Sequence, residues 1–205
     1  MNRQDFDFGE TTCPKRQSPY LQTCVRALHC LLMLALALPF PSVALEPTAP
    51  SAAAALLDRL PPSWRDERGA TLRLSALRGQ RIFVTMAYSS CHRICPMTMT
   101  RLAQVQQELD SRGMSAEFVI VSYDPDNDDA AAWRRYKASH HLLRDNWHFL
   151  SGTPTDTERL ARVLGFEFWR DGAHVMHDFR IVALGSDGAW RGVVETARSD
   201  WRELL

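Results

Sequence analysis

The chain has 205 residues with 24 basic and 24 acidic side chains, so it is formally neutral when its histidines are uncharged. That balance gives no electrostatic reason to expect nucleic acid or an anionic lipid surface as partner. Hydrophobic residues make up 45% of the chain, enough for one well-filled domain, which excludes extended disorder, collagen-like repeats and a multi-span membrane protein.

In chain order, the first signal is the apolar run at residues 27–40, with Arg26 before it and Ser42 and Ala44 after it. A basic flank, an apolar core and small residues at an A-x-A-like site make residues 1–44 a secretory signal cleaved after Ala44 or, uncleaved, an N-terminal membrane anchor. The run is shorter than the roughly 18–20 residues needed to span a bilayer. Acidic Asp5, Asp7 and Glu10 suit a signal's leading region poorly, so translation is expected to start near Leu21 or Val25. Export to the periplasm follows from either reading. Removing residues 1–44 also removes Cys13, Cys24 and Cys30, and leaves Cys91 and Cys95 as the one thiol pair. In an oxidising compartment such a pair can form a disulfide, hold a metal or exchange electrons.

Residues 45–62, rich in Ala and Pro, read as a linker with one short helix, and the globular domain is expected over 63–205. Residues 64–77 form a small hairpin with Arg68 and Gly69 near its turn. Residues 82–87 make a buried strand, and a loop over 88–95 follows. Pro96 opens a helix that Gly113 ends, with Cys95 as its cap. A strand at 118–122, an acidic loop at 124–128, a helix at 129–139 and a strand at 147–150 come next. A helix after Thr153 and Pro154 stops at Gly165, and strands at 180–184 and 190–194 close the chain around a turn at 185–188. This order implies an α/β fold, a mixed central sheet with helices on both faces, preceded by an N-terminal hairpin.

The two cysteines thus stand where a strand ends and a helix begins, a favoured place for chemistry in an open sheet. Free N–H groups and the positive end of the helix dipole favour thiolate at both, with Arg93 adding to the effect. A plain structural disulfide is disfavoured at a helix mouth. Thioredoxin-type redox sites use C-x-x-C, whereas this spacing is C-x-x-x-C, which leaves room for an ion between the sulfurs. Thiolates with imidazole favour Cu(I), Cu(II) or zinc over magnesium or calcium.

The motif Tyr88-Ser89-Ser90-Cys91-His92-Arg93-Ile94-Cys95-Pro96, with Thr98 after it, resembles the Sco/SenC family, thioredoxin-fold copper proteins of cytochrome c oxidase assembly. The segment Val121-Ser122-Tyr123-Asp124-Pro125-Asp126-Asn127-Asp128 is similar to the family's strand end and acidic turn. His177, ahead of the last two strands, resembles the family's downstream histidine. The resemblance spans about residues 63–195. It implies one copper ion, Cu(I) or Cu(II), held by Cys91, Cys95 and His177, with Asp124 at an acidic position that affects loading or partner contact. The sequence departs from the pattern at Met176, where the family commonly has Asp, and residues 167–176 are short for the family.

Around that set, His174 and Met176 are accessory ligand candidates, and His92 is read as tuning charge in the loop. His140, His141 and His148 are read as surface or loop residues. Met86, Met97 and Met99 are read as packing. The function implied is a periplasmic copper chaperone whose partner is the copper-accepting subunit of a cytochrome oxidase or another periplasmic copper protein. The alternative is a thiol–disulfide oxidoreductase acting through Cys91 and Cys95. A peroxidase of the peroxiredoxin type lacks its Pro-x-x-x-Thr-x-x-Cys loop here.

Overall fold

The computed structural model describes residues 54–172 and 174–205; the expected signal or anchor over 1–44 lies outside them. No helix among the described residues is long and apolar enough to cross a membrane. Helix α1 (Ala54–Arg59) is the short helix anticipated in the linker. Its Leu57, and Leu60 just after it, are buried. The end of the expected linker is therefore part of the packed domain, because its leucines find an apolar surface to cover.

Strands β1 (Trp64–Arg65) and β2 (Thr71–Leu72) form the antiparallel N-terminal hairpin. Strand β3 (Ile82–Ala87), helix α2 (Ile94–Ser111), strand β4 (Glu117–Ser122), helix α3 (Ala130–Ser139) and strand β5 (Trp147–Leu150) follow as two parallel crossovers. Helix α4 (Pro154–Leu164) is capped by the Thr153 side chain and stopped by Gly165 at φ 75°. Strands β6 (Phe168–Asp171) and β7 (His174–His177) pair only with each other, and β8 (Ile181–Leu184) and β9 (Trp190–Val194) return antiparallel. The central sheet has the order β5-β4-β3-β8-β9.

Every residue of β3 and β8 is buried, as expected for strands covered on both faces. Register places Phe83 opposite Phe118, and Phe118 opposite Trp147. The three rings stack at centroid separations of 5.3 and 4.8 Å. Such pairs add about 0.5–1.5 kcal/mol beyond the area they bury. On the same face Trp147 Nε1 donates to Gln106 of α2, and Phe149 packs on Trp133 of α3. Right-handed crossovers that advance in one direction along the sheet place both helices there.

The edge strand β5 is closed by the N-terminal hairpin. Phe149 N–H donates to the Glu67 carboxylate, and Lys137 Nζ lies 2.6 Å from the same carboxylate while also donating to Trp147 O. Burial pushes the Glu67 carboxyl up, but the Lys137 hydrogen bond and the backbone donors outweigh it and hold the group below its ordinary range.

Two expectations need correction. Helix α2 begins at Ile94, so Cys95 lies inside the first turn, and Arg93 rather than Cys95 stands at the cap. Pro96 is tolerated there because the N–H it lacks has no intrahelical acceptor in the first turn. The β6–β7 hairpin is an addition, since no strand is expected between the helix stop at Gly165 and the strand at 180–184. Its turn carries the pair Asp171-Gly172, with Gly172 at φ 59°, a left-handed position that glycine occupies without strain.

Candidate metal centre

Strand β3 ends at Ala87 and delivers the chain into a tight turn, closed by Cys91 N–H donating to Tyr88 O. The loop is tied to the end of β4 by Asp128, which is buried and accepts from Ser89 N–H at 3.0 Å and from Ser122 Oγ. Cys91 thereby sits just ahead of α2, and its sulfur accepts from the Cys95 N–H at 3.4 Å. Cys95 is one turn further in and fully buried. Both thiols are free.

His177 arrives from the hairpin. Along β7 burial alternates, so Val175 and His177 face inward while His174 and Met176 face outward. Tyr123, at the end of β4, stacks on the His177 ring at 4.6 Å, and Tyr88 meets it edge-on at 5.9 Å. His177 Nδ1 lies 2.7 Å from the carbonyl oxygen of Asp178. A carbonyl only accepts, so Nδ1 carries the proton and Nε2 keeps its lone pair. That lone pair faces the sulfurs, 3.5 Å from Cys95 Sγ and 3.9 Å from Cys91 Sγ.

The two sulfurs and a histidine nitrogen all lie within 4.8 Å of one another. Soft donors at about 2.0–2.3 Å from one ion, spread trigonally or tetrahedrally, stand roughly 3.5–4 Å apart. The donor set and its spacing therefore fit a thiophilic metal such as copper or zinc.

The thiols differ in charge state. The hydrogen bond from the Cys95 thiol, assisted by the Arg93 and Cys95 backbone N–H groups, lowers Cys91 to about 3 against the cost of burial. The neighbouring Cys91 sulfur and burial push Cys95 up instead. The expectation of two thiolates is thus corrected for the metal-free protein, because two buried sulfurs this close share one proton more readily than they hold two charges.

Asp124 stands apart from the three donors. Its carboxylate is engaged by Arg170 Nη2 at 2.6 Å and by Asn127 Nδ2, which makes it a brace between the β4 loop and β6. His92, His174 and Met176 line the cleft of about 630 Å³ above Cys91 and His177. His148 pairs with Glu117, and His140 stacks on Tyr136, both away from that cleft. Met86 and Met99 are buried as expected, whereas Met97 is 52% exposed on the outer side of the first turn of α2. Asp128, Tyr88 and Tyr123 were not singled out from the sequence as site residues. The Ser89–Ser90 turn and the acidic loop were visible there, but the bond between them depends on β3 and β4 lying side by side.

Two cysteines at a strand-to-helix mouth, facing a histidine from a hairpin on a mixed sheet, define a thioredoxin-like protein with a thiolate–imidazole centre. The chain belongs to the SCO1/SenC family, whose model matches residues 63–203. A SCO1 protein homolog from Bacillus subtilis is 26% identical over 92 residues, 45% of this chain and 48% of that protein. The chain thus spans about half the length of that curated relative. The copper-bound structure of Arabidopsis thaliana ScoI superposes with a TM-score of 0.61 at 19% identity, covering 69% of this chain and 89% of that one. BsSco, described as a member of the Sco family of cytochrome c oxidase assembly proteins with a disulfide switch, superposes with a TM-score of 0.59 at 21% identity, over 67% and 82%. These structural likenesses establish the thioredoxin-like fold.

Proposed function

We propose that this chain is an exported copper chaperone that binds one copper ion through Cys91, Cys95 and His177 and delivers it to the copper site of a respiratory cytochrome oxidase. The observation that carries the reading is the His177 Nε2 lone pair held toward two sulfurs at 3.5 and 3.9 Å. Membership of the SCO1/SenC family and the copper-bound relative support copper as the cargo. The oxidase as recipient is supported by the assembly role described for BsSco. The periplasm as compartment, and residues 1–44 as its signal or anchor, rest on the apolar run and small residues before Ala44.

The chemistry asked of the protein is binding and release. Cys91 offers a thiolate already, Cys95 gives up its proton as the ion is bound, and the imidazole needs no proton movement at Nε2. The stack of Tyr123 and the Nδ1–H bond to Asp178 keep the ring aimed. Reduced protein mixed with one equivalent of Cu(II) is expected to develop sulfur-to-copper charge-transfer absorption that is lost in His177→Ala. Absence of copper binding by the reduced wild-type chain would overturn the reading.

A second reading has its own observation, a thiolate at Cys91 beside a protonated Cys95. Cys91 would attack a partner disulfide to form a mixed disulfide and release one partner thiolate. Cys95 would then displace the second, leaving Cys91–Cys95 oxidised and the partner dithiol reduced. Exchange that survives His177→Ala but not Cys91→Ser would favour this reductase.

A further inference from the structure

The copper-binding cluster is nearly closed to solvent: Cys91 is 5% exposed, Cys95 0% and His177 9%. The wider of the two cavities that reach Cys91 is the cleft above it, and the side chains that line that cleft are unusual for a surface. His92 lies on the loop wall and is exposed. On the hairpin wall, strand alternation puts His174 and Met176 on the same outward face of β7, with Met176 42% exposed. Two residues apart on a strand, their Cα atoms are separated by roughly 6.6 Å, a span both flexible side chains can close around one ion. The register partner of Met176 on that face is Trp169, 59% exposed, so neither side chain belongs to the core.

The same alternation keeps Met176 from completing the inner set, because His177 points to the opposite face of the strand. Resting on the copper-binding reading above, we propose that His92, His174 and Met176 form a second, outer copper(I) site at the mouth of the cleft. The ion is held there by one thioether and imidazole nitrogens before it exchanges these for the Cys91 thiolate, and it leaves by the reverse route. The thioether favours Cu(I), and one thioether with imidazoles binds it less tightly than two thiolates, which is what a staging position requires. Asp171, opposite His174 in the hairpin register and lining the same cleft, adds a carboxylate that favours a cation there.

The test uses the full chain and Cu(I) delivered from a chromophoric chelator under anaerobic conditions. A reference protein carrying Cys13→Ser, Cys24→Ser and Cys30→Ser, which serves as the wild type of the series, is expected to take up one ion tightly and a second weakly. A variant carrying Cys13→Ser, Cys24→Ser, Cys30→Ser, Cys91→Ser, Cys95→Ser and His177→Ala should retain the weak ion alone, with mixed nitrogen and sulfur scattering in its X-ray absorption spectrum. Adding Met176→Leu should remove the sulfur scattering and weaken that binding by on the order of 10-fold or more. In the otherwise intact chain, Met176→Leu or His174→Gln should slow loading about as much while leaving the tight affinity unchanged. Met97→Leu, exposed but outside the cleft, should change nothing. This second arm decides the matter if the multiple variant does not fold. One tight ion in the wild type, with loading rates unaffected by Met176→Leu and His174→Gln, overturns the outer site and leaves the inner one standing. No uptake by the wild type overturns both.

Discussion

Arg170 Nη2 lies 2.6 Å from Asp124 Oδ1, and this pair joins a hairpin outside the central sheet to the loop that follows β4. His177 rides on that hairpin, whose strands have no ladder to the five-stranded sheet. Other ties to the hairpin are side-chain contacts: Phe168 packs on Tyr123, Tyr123 Oη donates to Asp178, and the rings of Tyr123 and Tyr88 meet His177. Positioning of the imidazole therefore depends on a few side chains rather than on sheet hydrogen bonds.

Arg170→Met and Asp124→Asn are expected to loosen the hairpin and weaken copper affinity about 10-fold, in the range seen when groups that orient a ligand are removed. The ligands themselves are untouched, so a competition titration with a Cu(I) chelator should show the loss while the absorption of the loaded protein keeps its form. Unchanged affinity in both variants would show that the pair has no part in placing His177.

Cys91, lowered to about 3, should be alkylated in the reduced metal-free protein at a rate almost independent of pH between about 5 and 8, because the thiolate is fully formed throughout. Cys95→Ala removes the largest cause of that lowering, the hydrogen bond from the Cys95 thiol. In that variant the alkylation rate should rise with pH over the same range. Mass-spectrometric rate measurements at Cys91 across pH settle it, and a steep pH dependence in the wild type would contradict the assignment.

The buried Glu67–Lys137 pair closes the sheet edge at β5. Lys137→Met leaves the Glu67 carboxylate buried without its cation and is expected to cost about 3–5 kcal/mol, whereas Glu67→Leu with Lys137→Met should recover most of it. Because the folded carboxyl is held below its unfolded value, its contribution is present above the ordinary carboxylate range and lost as pH falls through it. Urea unfolding of the three proteins at neutral and acid pH measures both effects.

Asp128 behaves in the opposite sense. Burial is the largest influence on its carboxyl and raises it, although Ser122 and Ser89 donate to the charged form. A raised carboxyl detracts from stability above the unfolded value, and the deficit fades as pH falls. Asp128→Asn, which keeps an oxygen for the Ser89 N–H, should therefore be at least as stable as wild type near neutrality and lose that advantage in acid. Asp128→Ala leaves the N–H without its acceptor and should cost about 1–3 kcal/mol. Thermal melts at two pH values distinguish the cases.

Much of the framework was legible from local pattern. The apolar runs of β3, β4 and β8 read as buried strands because strands covered on both faces lose the alternation that marks a half-exposed sheet. Thr153-Pro154 and Gly165 bounded α4 through chemistry contained within a turn. The β6–β7 hairpin was missed because its four-residue strands are stabilised by what lies beneath them, Tyr123 and Asp124, and not by their own composition.

The cysteine count showed the same division. The sequence by itself singled out the pair at Cys91 and Cys95 and placed that pair at a helix mouth, since cysteine spacing and strand-to-helix turns are written in contiguous residues. Only the tertiary structure decided that one thiol is charged and its neighbour is not. It alone decided which nitrogen of His177 faces the sulfurs, and that Met176 looks outward while His177 looks in. Those properties arise between residues as many as 86 positions apart, through fields and hydrogen bonds that exist only once the sheet and hairpin have brought them within a few ångströms.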